Sequence, residues 1–127
     1  MNIEDKYSID IAAETQYIDA QSKPEDSEYV FAYRITITNS GSLTATLKTR
    51  HWIITDAGGE VQEVKGEGVV GQQPRLVPGD SFTYTSAAMI KTPVGTMHGS
   101  YQMIAADGTA FDAPIAPFRL SIPSAIH

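Results

Sequence analysis

Glu28-Tyr29-Val30-Phe31-Ala32-Tyr33-Arg34-Ile35-Thr36-Ile37-Thr38-Asn39 is the stretch on which the fold reading turns. Tyr29, Phe31, Tyr33, Ile35 and Ile37 share one parity; Ala32, Arg34, Thr36 and Thr38 share the other. Side chains of an extended chain alternate between faces, so this is a strand with one face in a core and one toward water. Its β-branched and aromatic residues suit a half-buried pleated surface. Asn39-Ser40-Gly41-Ser42 then supplies turn chemistry.

Toward the N-terminus, Tyr7 to Tyr17 repeats the two-residue period, with Ile9, Ile11, Ala13 and Thr15 on one face. Gln21 to Asp26, with Pro24, reads as a polar loop. Toward the C-terminus, a strand spans about Thr46 to Thr55 and carries Leu47, Trp52, Ile53 and Ile54. Asp56-Ala57-Gly58-Gly59 is a hairpin turn into a short return strand, Glu60 to Lys65. Gly66 to Gly79 holds four glycines and two prolines in fourteen residues, too many for regular structure throughout. Ser81 to Ala88 and Thr96 to Ala106 read as strands, with Asp107-Gly108 as a second hairpin signal. The last segment, Thr109 to Ile122, is broken by Pro114 and Pro117, which suits an edge strand.

No stretch sustains a helical period, so the expected fold is all-β. Seven or eight mostly antiparallel strands at this spacing predict an immunoglobulin- or fibronectin type III-like β-sandwich. Trp52 on the third strand matches the tryptophan such domains bury between sheets. Gly99-Ser100-Tyr101-Gln102-Met103 resembles their late strand, with Met103 in the place of the usual cysteine. Trp52 and Met103 are therefore expected to be buried near each other.

The 127 residues, 42% apolar and 19% charged, fit one domain over 1–127 with tails at 1–6 and 123–127. With no cysteine there is no disulfide, thiolate metal site or cysteine nucleophile. Met1 to Asp10 lacks a signal-peptide layout and no apolar run approaches a membrane span, so a soluble cytoplasmic protein is expected. The net charge of −6 is uneven: residues 1–28 carry eight acids against Lys6 and Lys23, and the remainder balances seven against seven. The basic stripe of a nucleic-acid binder is missing.

From Val30 to Ile122 the chain resembles the bacterial ApaG family. The matching segments are Arg50 to Asp56, Glu63 to Pro74, Leu76 through Pro78-Gly79, Phe82 through Tyr84-Thr85-Ser86, Gly95 to Met97, Gly99 to Met103, and Pro117-Phe118. After Ser86 the chain departs from the family's usual glycine and proline-rich turn and reads Ala87-Ala88-Met89-Ile90-Lys91. The resemblance implies a fibronectin type III-like sandwich. It also points to related domains in eukaryotic F-box and DNA-polymerase-interacting proteins, where the role is protein binding. Bacterial members lie near a diadenosine tetraphosphate hydrolase gene and are linked to cobalt and magnesium tolerance; neither association supplies a reaction.

Gly66-Glu67-Gly68-Val69-Val70-Gly71 fits the GxGxxG dinucleotide pattern, but that pattern needs a following helix to face the pyrophosphate. Gln72 to Pro78 offers none. A helix-free nest of backbone N–H groups remains as the anion-binding alternative, with Lys65, Gly66, Gly68, Gly71 and Arg75 as its residues and a nucleotide such as diadenosine tetraphosphate as ligand. The competing reading is a loop that glycine permits. His51, His98 and His127 stand at no metal-ligand spacing, so no metal ligands are assigned and a divalent-metal role ranks below the others. Ser100 sits in a strand rather than at a nucleophile elbow, and Asp56, Glu60, Asp80 and Asp107 fall at turns.

The sequence thus favours a non-enzymatic interaction module without cofactor. The first and last strands look guarded by Asp10, Glu14, Pro114 and Pro117, whereas Glu60 to Lys65 is short and leads straight into the glycine-rich loop. A protein partner, or a second copy, is expected at Val61 to Pro78, through Val61, Val64, Val69, Val70, Gln73, Pro74, Leu76 and Pro78.

Overall fold

Alternation in the sequence becomes alternation of burial in the structure. Along Tyr29–Asn39, Phe31, Tyr33, Ile35 and Ile37 are buried while Arg34 is exposed. The computed structural model describes residues 6–123, so the expected tails, apart from Lys6 and Pro123, and His127 lie outside the described residues. In chain order the strands are β1 (Ile9–Tyr17), β2 (Tyr29–Asn39), β3 (Ala45–Asp56), β4 (Val61–Glu67), β5 (Arg75–Leu76), β6 (Ser81–Ile90), β7 (Val94–Ala105) and β8 (Ala110–Ser121).

These form two antiparallel sheets, β1-β2-β6 and β4-β3-β7-β8, with β5 paired to β3 beside β4. They face each other as a fibronectin type III-like sandwich, and β8, with its two prolines, is an edge strand as expected. The loop between β1 and β2 contains two short 3-10 turns. β4 continues through Gly66 to Glu67, two residues beyond the expected return strand. β6 continues past Ala88 because β2 reaches far enough to partner it, with Val30 opposite Met89 and Tyr29 opposite Ile90.

Trp52 is at the centre of the core, with ring centroids 5.4 Å from Tyr33, 6.2 Å from Tyr101 and 5.8 Å from Phe118, all edge-on. Such edge-to-face arrangements add to what area burial contributes. Met103 is buried too, but it stands opposite Leu47 while Trp52 stands opposite Gly99, so Tyr101 lies between them on that face. The buried polar residue Asn39 is fully used: Nδ2 donates to the carbonyls of Leu43 and Leu76, and Oδ1 accepts from the Gly41 amide.

One irregularity decides where the site falls. β3 bulges between Leu47 and Thr49. Before it the inward residues are Ala45 and Leu47; after it they are Trp52 and Ile54, on the opposite parity. A bulge shifts the alternation by one residue, and this one places Arg50 on the parity of the core.

The two flanks of the sandwich also differ. On one, Tyr7 joins β8, its hydroxyl donating to Asp107 at 2.7 Å and its ring 5.3 Å from Phe111. On the other, β4 and β6 are bridged by Gln62 Nε2 donating to the Met89 carbonyl, beside the Lys91–Glu60 ion pair. A cleft of about 370 Å³ opens there onto Trp52, Ile54, Val64 and Met89.

Candidate functional site

The β3–β4 hairpin is built from its turn outward. Asp56 Oδ1 accepts the Gly58 and Glu60 amides, while Gly59 sits at φ 89°, in the left-handed region that glycine enters without steric cost. The ladder then brings Trp52 opposite Val64, His51 opposite Lys65 and Arg50 opposite Gly66. Asp56 N–H bonds Glu60 C=O and Gly68 N–H bonds Lys48 C=O. Even-numbered residues of β4 therefore face β3, and Val61, Glu63 and Lys65 turn their backbone groups to the open side.

Each glycine of the GxGxxG pattern has a local reason. A Cβ on Gly66 would lie 2.8 Å from Arg50 Nη2, so the missing side chain makes room for the guanidinium. Arg50 Nη1 donates to the carbonyls of Glu67 and Gly68, both at 2.9 Å. Gly68, at φ 61°, would place a Cβ 2.3 Å from the Gln72 carbonyl oxygen. Val70 at φ 42° and Gly71 at φ 80° form the tip of a tight turn closed by reciprocal Val69–Gln72 hydrogen bonds.

This arrangement commits the N–H groups of Gly68, Val69 and Gln72 inside the protein and turns two carbonyls onto Arg50. Val70 and Gly71 retain N–H groups that could meet an anion. Lys65 and Arg75 do not stand together over that turn. They pair with His51 and Thr46 of β3, five positions and about 16 Å apart along the strand.

Of the residues expected to form an interaction surface, Val61, Val64, Val70, Gln73 and Pro78 are exposed and Pro74 is half-buried. Val69 and Leu76 are buried in the core, so they anchor the loop and do not touch a partner. Gln73 Nε2 donates to the Lys48 carbonyl, and Pro74 C=O accepts from Leu47 N–H. The sequence reading missed Arg50, because the bulge that turns it inward leaves no mark in the pattern.

The outer face of the hairpin carries His51 Nε2 at 2.7 Å from Glu63 Oε2, beside a shallow cleft of about 470 Å³ lined by Thr49, His51, Lys65, Glu67 and Gln102. The hydrogen bond from His51, helped by the charge of Lys65, holds the Glu63 carboxyl below the usual range. His98 lies opposite Ile53, one diagonal step from His51 on the same face. Among the described residues no three His, Asp or Glu side chains are grouped to hold a metal ion. Inside the sandwich, the Tyr84 and Tyr101 hydroxyls join the two sheets at 2.5 Å. Burial pushes Tyr84 up to about 12 and raises Tyr101 as well, so both remain protonated at neutral pH.

Among the described residues, no helix is long and apolar enough to cross a membrane. The ApaG domain family model matches residues 19–105. A protein ApaG from Azoarcus sp. (strain BH72) is 57% identical over 127 residues, the whole of both chains. One from Pseudomonas putida (strain F1) is 59% identical over 122 residues, 96% of this chain and 97% of that one. A Bordetella pertussis protein of known crystal structure superposes with a TM-score of 0.89 at 49% identity, covering 92% of this chain and 95% of its own.

Proposed function

Because the chain belongs to the ApaG family, we propose that it is a cytoplasmic, non-catalytic adaptor that binds another protein through the β4 edge and the loop running to Pro78. One observation carries this reading. Among the described residues, five large apolar side chains are exposed, and four of them, Val61, Val64, Val70 and Val77, lie between Val61 and Pro78. They are strung along that edge and its loop, from Val61 opposite Thr55 to Val70 beyond the Gly68–Lys48 hydrogen bond, so they suit an extended partner segment more than a compact one.

Val70 adds to this. A β-branched residue at positive φ is strained, and here it is also 54% exposed. Glycine or asparagine would suit the turn better, so the valine side chain costs stability without filling a core. The open backbone groups of Val61, Glu63 and Lys65 offer hydrogen bonds to an added strand, and the valines offer apolar contact. The alternating Glu63, Lys65 and Glu67 select a partner of complementary charge order. A link to cobalt and magnesium tolerance, as the family resemblance implies, would run through that partner.

Photo-crosslinking in cells from positions 61 and 70, with position 12 on β1 as control, tests the reading. A discrete adduct from 61 and 70 that is missing from 12 supports it; equal labelling from all three refutes it. Calorimetry with pyrophosphate and diadenosine tetraphosphate forms the second arm. Salt-sensitive heats that Arg75→Ala abolishes would transfer the site to the nucleotide reading.

A further inference from the structure

Two sheets leave four edge strands, β1, β4, β6 and β8, and an open edge is a template for another chain unless it is guarded. β1 exposes Asp10 and Glu14, β4 carries Glu63, Lys65 and Glu67, and β8 is broken by Pro114 and Pro117. β6 has no such guard. Its ten residues, Ser81 to Ile90, include no charge, proline or glycine, and they run against β2 without a register shift.

The direction of its free groups follows from its partner. Asn39 N–H bonds Asp80 C=O, so Phe82, Tyr84, Ser86, Ala88 and Ile90 in turn face β2. Ser81, Thr83, Thr85, Ala87 and Met89 therefore turn N–H and C=O away from β2; Gln62 of β4 already takes the Met89 carbonyl, which leaves the stretch from Ser81 to Ala87 to carry the open groups. The side chains of the same five residues are exposed on the outer face of the sheet.

We propose that this edge takes a second copy of the same chain. Two β6 strands pair antiparallel about a twofold axis at Thr85, and the two three-stranded sheets merge into one of six strands. In that register Thr83 exchanges hydrogen bonds with Ala87 of the other copy, and Thr85 with its own equivalent. On the inward side Phe82 meets Ala88 and Tyr84 meets Ser86, large against small at each pair.

Charge argues for this edge over the others. Self-pairing of β4 about Lys65 would set lysine against lysine and Glu63 against Glu67; self-pairing of β1 about Ala12 would set Asp10 against Glu14. Like charges directly opposite destabilise a strand pair, and β6 has none to oppose. β1, at the far side of the same sheet, carries two acids, Asp10 and Glu14, and no base. In the dimer Asp10 and Glu14 of each copy stand on the two outermost of the six strands.

Sedimentation of the full chain from about 10 µM to 1 mM tests it. Wild type should rise from 13.7 kDa toward twice that mass. Thr85→Pro removes the N–H at the axis, at a place where an edge strand tolerates proline, and should stay monomeric with its fold intact by circular dichroism. Thr85→Lys, which opposes two ammonium groups, should weaken dimerisation at least tenfold even if the proline variant does not fold. Lys65→Pro on β4 should leave the dimer unchanged. Amide exchange at Thr83, Thr85 and Ala87 should slow with rising concentration. A wild type that stays at 13.7 kDa at 1 mM, a dimer that survives Thr85→Lys, or protection on β4 in place of β6 overturns the proposal.

Discussion

Replacing Gly66 with alanine asks what the glycine pattern is for. The added methyl would stand 2.8 Å from Arg50 Nη2 and 2.9 Å from Cζ and Nη1, so the guanidinium, the free end of a flexible side chain, has to shift away from the strand. The backbone itself tolerates alanine, because Gly66 is not among the positive-φ residues. The loss is two hydrogen bonds from a charged donor, at 2.9 Å to Glu67 and Gly68. Bonds to charged groups contribute about 1.5–3 kcal/mol each, and at this partly solvated rim the lower figure applies. Removing glycine from a strand returns about 0.5–1 kcal/mol. Gly66→Ala should therefore cost up to about 2 kcal/mol, the full figure if both hydrogen bonds are lost, whereas in an Arg50→Met background it should stabilise by about 0.5–1 kcal/mol. Urea unfolding followed by the fluorescence of Trp52, the single tryptophan, measures both at unchanged m. Equal effects in the two backgrounds would show that the glycine serves something other than Arg50, and would return the loop to the anion reading.

Trp52→Ala should cost about 3–5 kcal/mol by the same unfolding assay read by circular dichroism, and a cost below about 1 kcal/mol would contradict its central place in the core. Val70→Asn should stabilise by about 1 kcal/mol, because asparagine accepts the positive φ that valine resists; a loss of stability would remove the strain argument. Asn39→Ala should cost about 2–3 kcal/mol, since it strands two carbonyls and an amide that the side chain now satisfies, and a near-neutral Tm would refute that role. Tyr84 ionises at about 12 when folded and at about 10 when unfolded, so its contribution is complete below pH 10 and is lost as pH rises through 12. An absorbance titration in which every tyrosine ionises near pH 10 with the fold intact would disprove its burial.

Period-two alternation made the strands legible, and β2 and β8 behave as their residues dictate. Trp52 could be read as core from its place on the third strand. Trp52 and Met103 are both buried yet not neighbours, because register between strands far apart in sequence set Tyr101 between them. Arg50 was illegible for a related reason: a one-residue bulge reverses which parity faces inward, and composition carries no sign of it. The glycine pattern was visible as a motif, but its meaning depends on which groups its amides and carbonyls meet. β6 was recognised as a strand; that it forms an open edge follows only from the sheet order, in which β2 has β1 on its other side.

That sheet order also fixes a timetable. β2 receives β1 from an adjacent stretch of chain, but its other neighbour, β6, arrives only after β3, β4 and β5 have been made. β3 likewise has β4 at hand and must wait for β7. The hairpins β1–β2, β3–β4 and β7–β8 can form early, while the pairings that join them into sheets close long loops, and such closure limits the rate of domains rich in distant contacts to about milliseconds to seconds. During that interval β2 presents the open side with Phe31, Tyr33, Ile35 and Ile37 uncovered, in a chain still emerging from the ribosome. The acidic first strand, made just before β2 and paired to it, is the only part of this sheet in place to keep that hairpin soluble until β6 arrives.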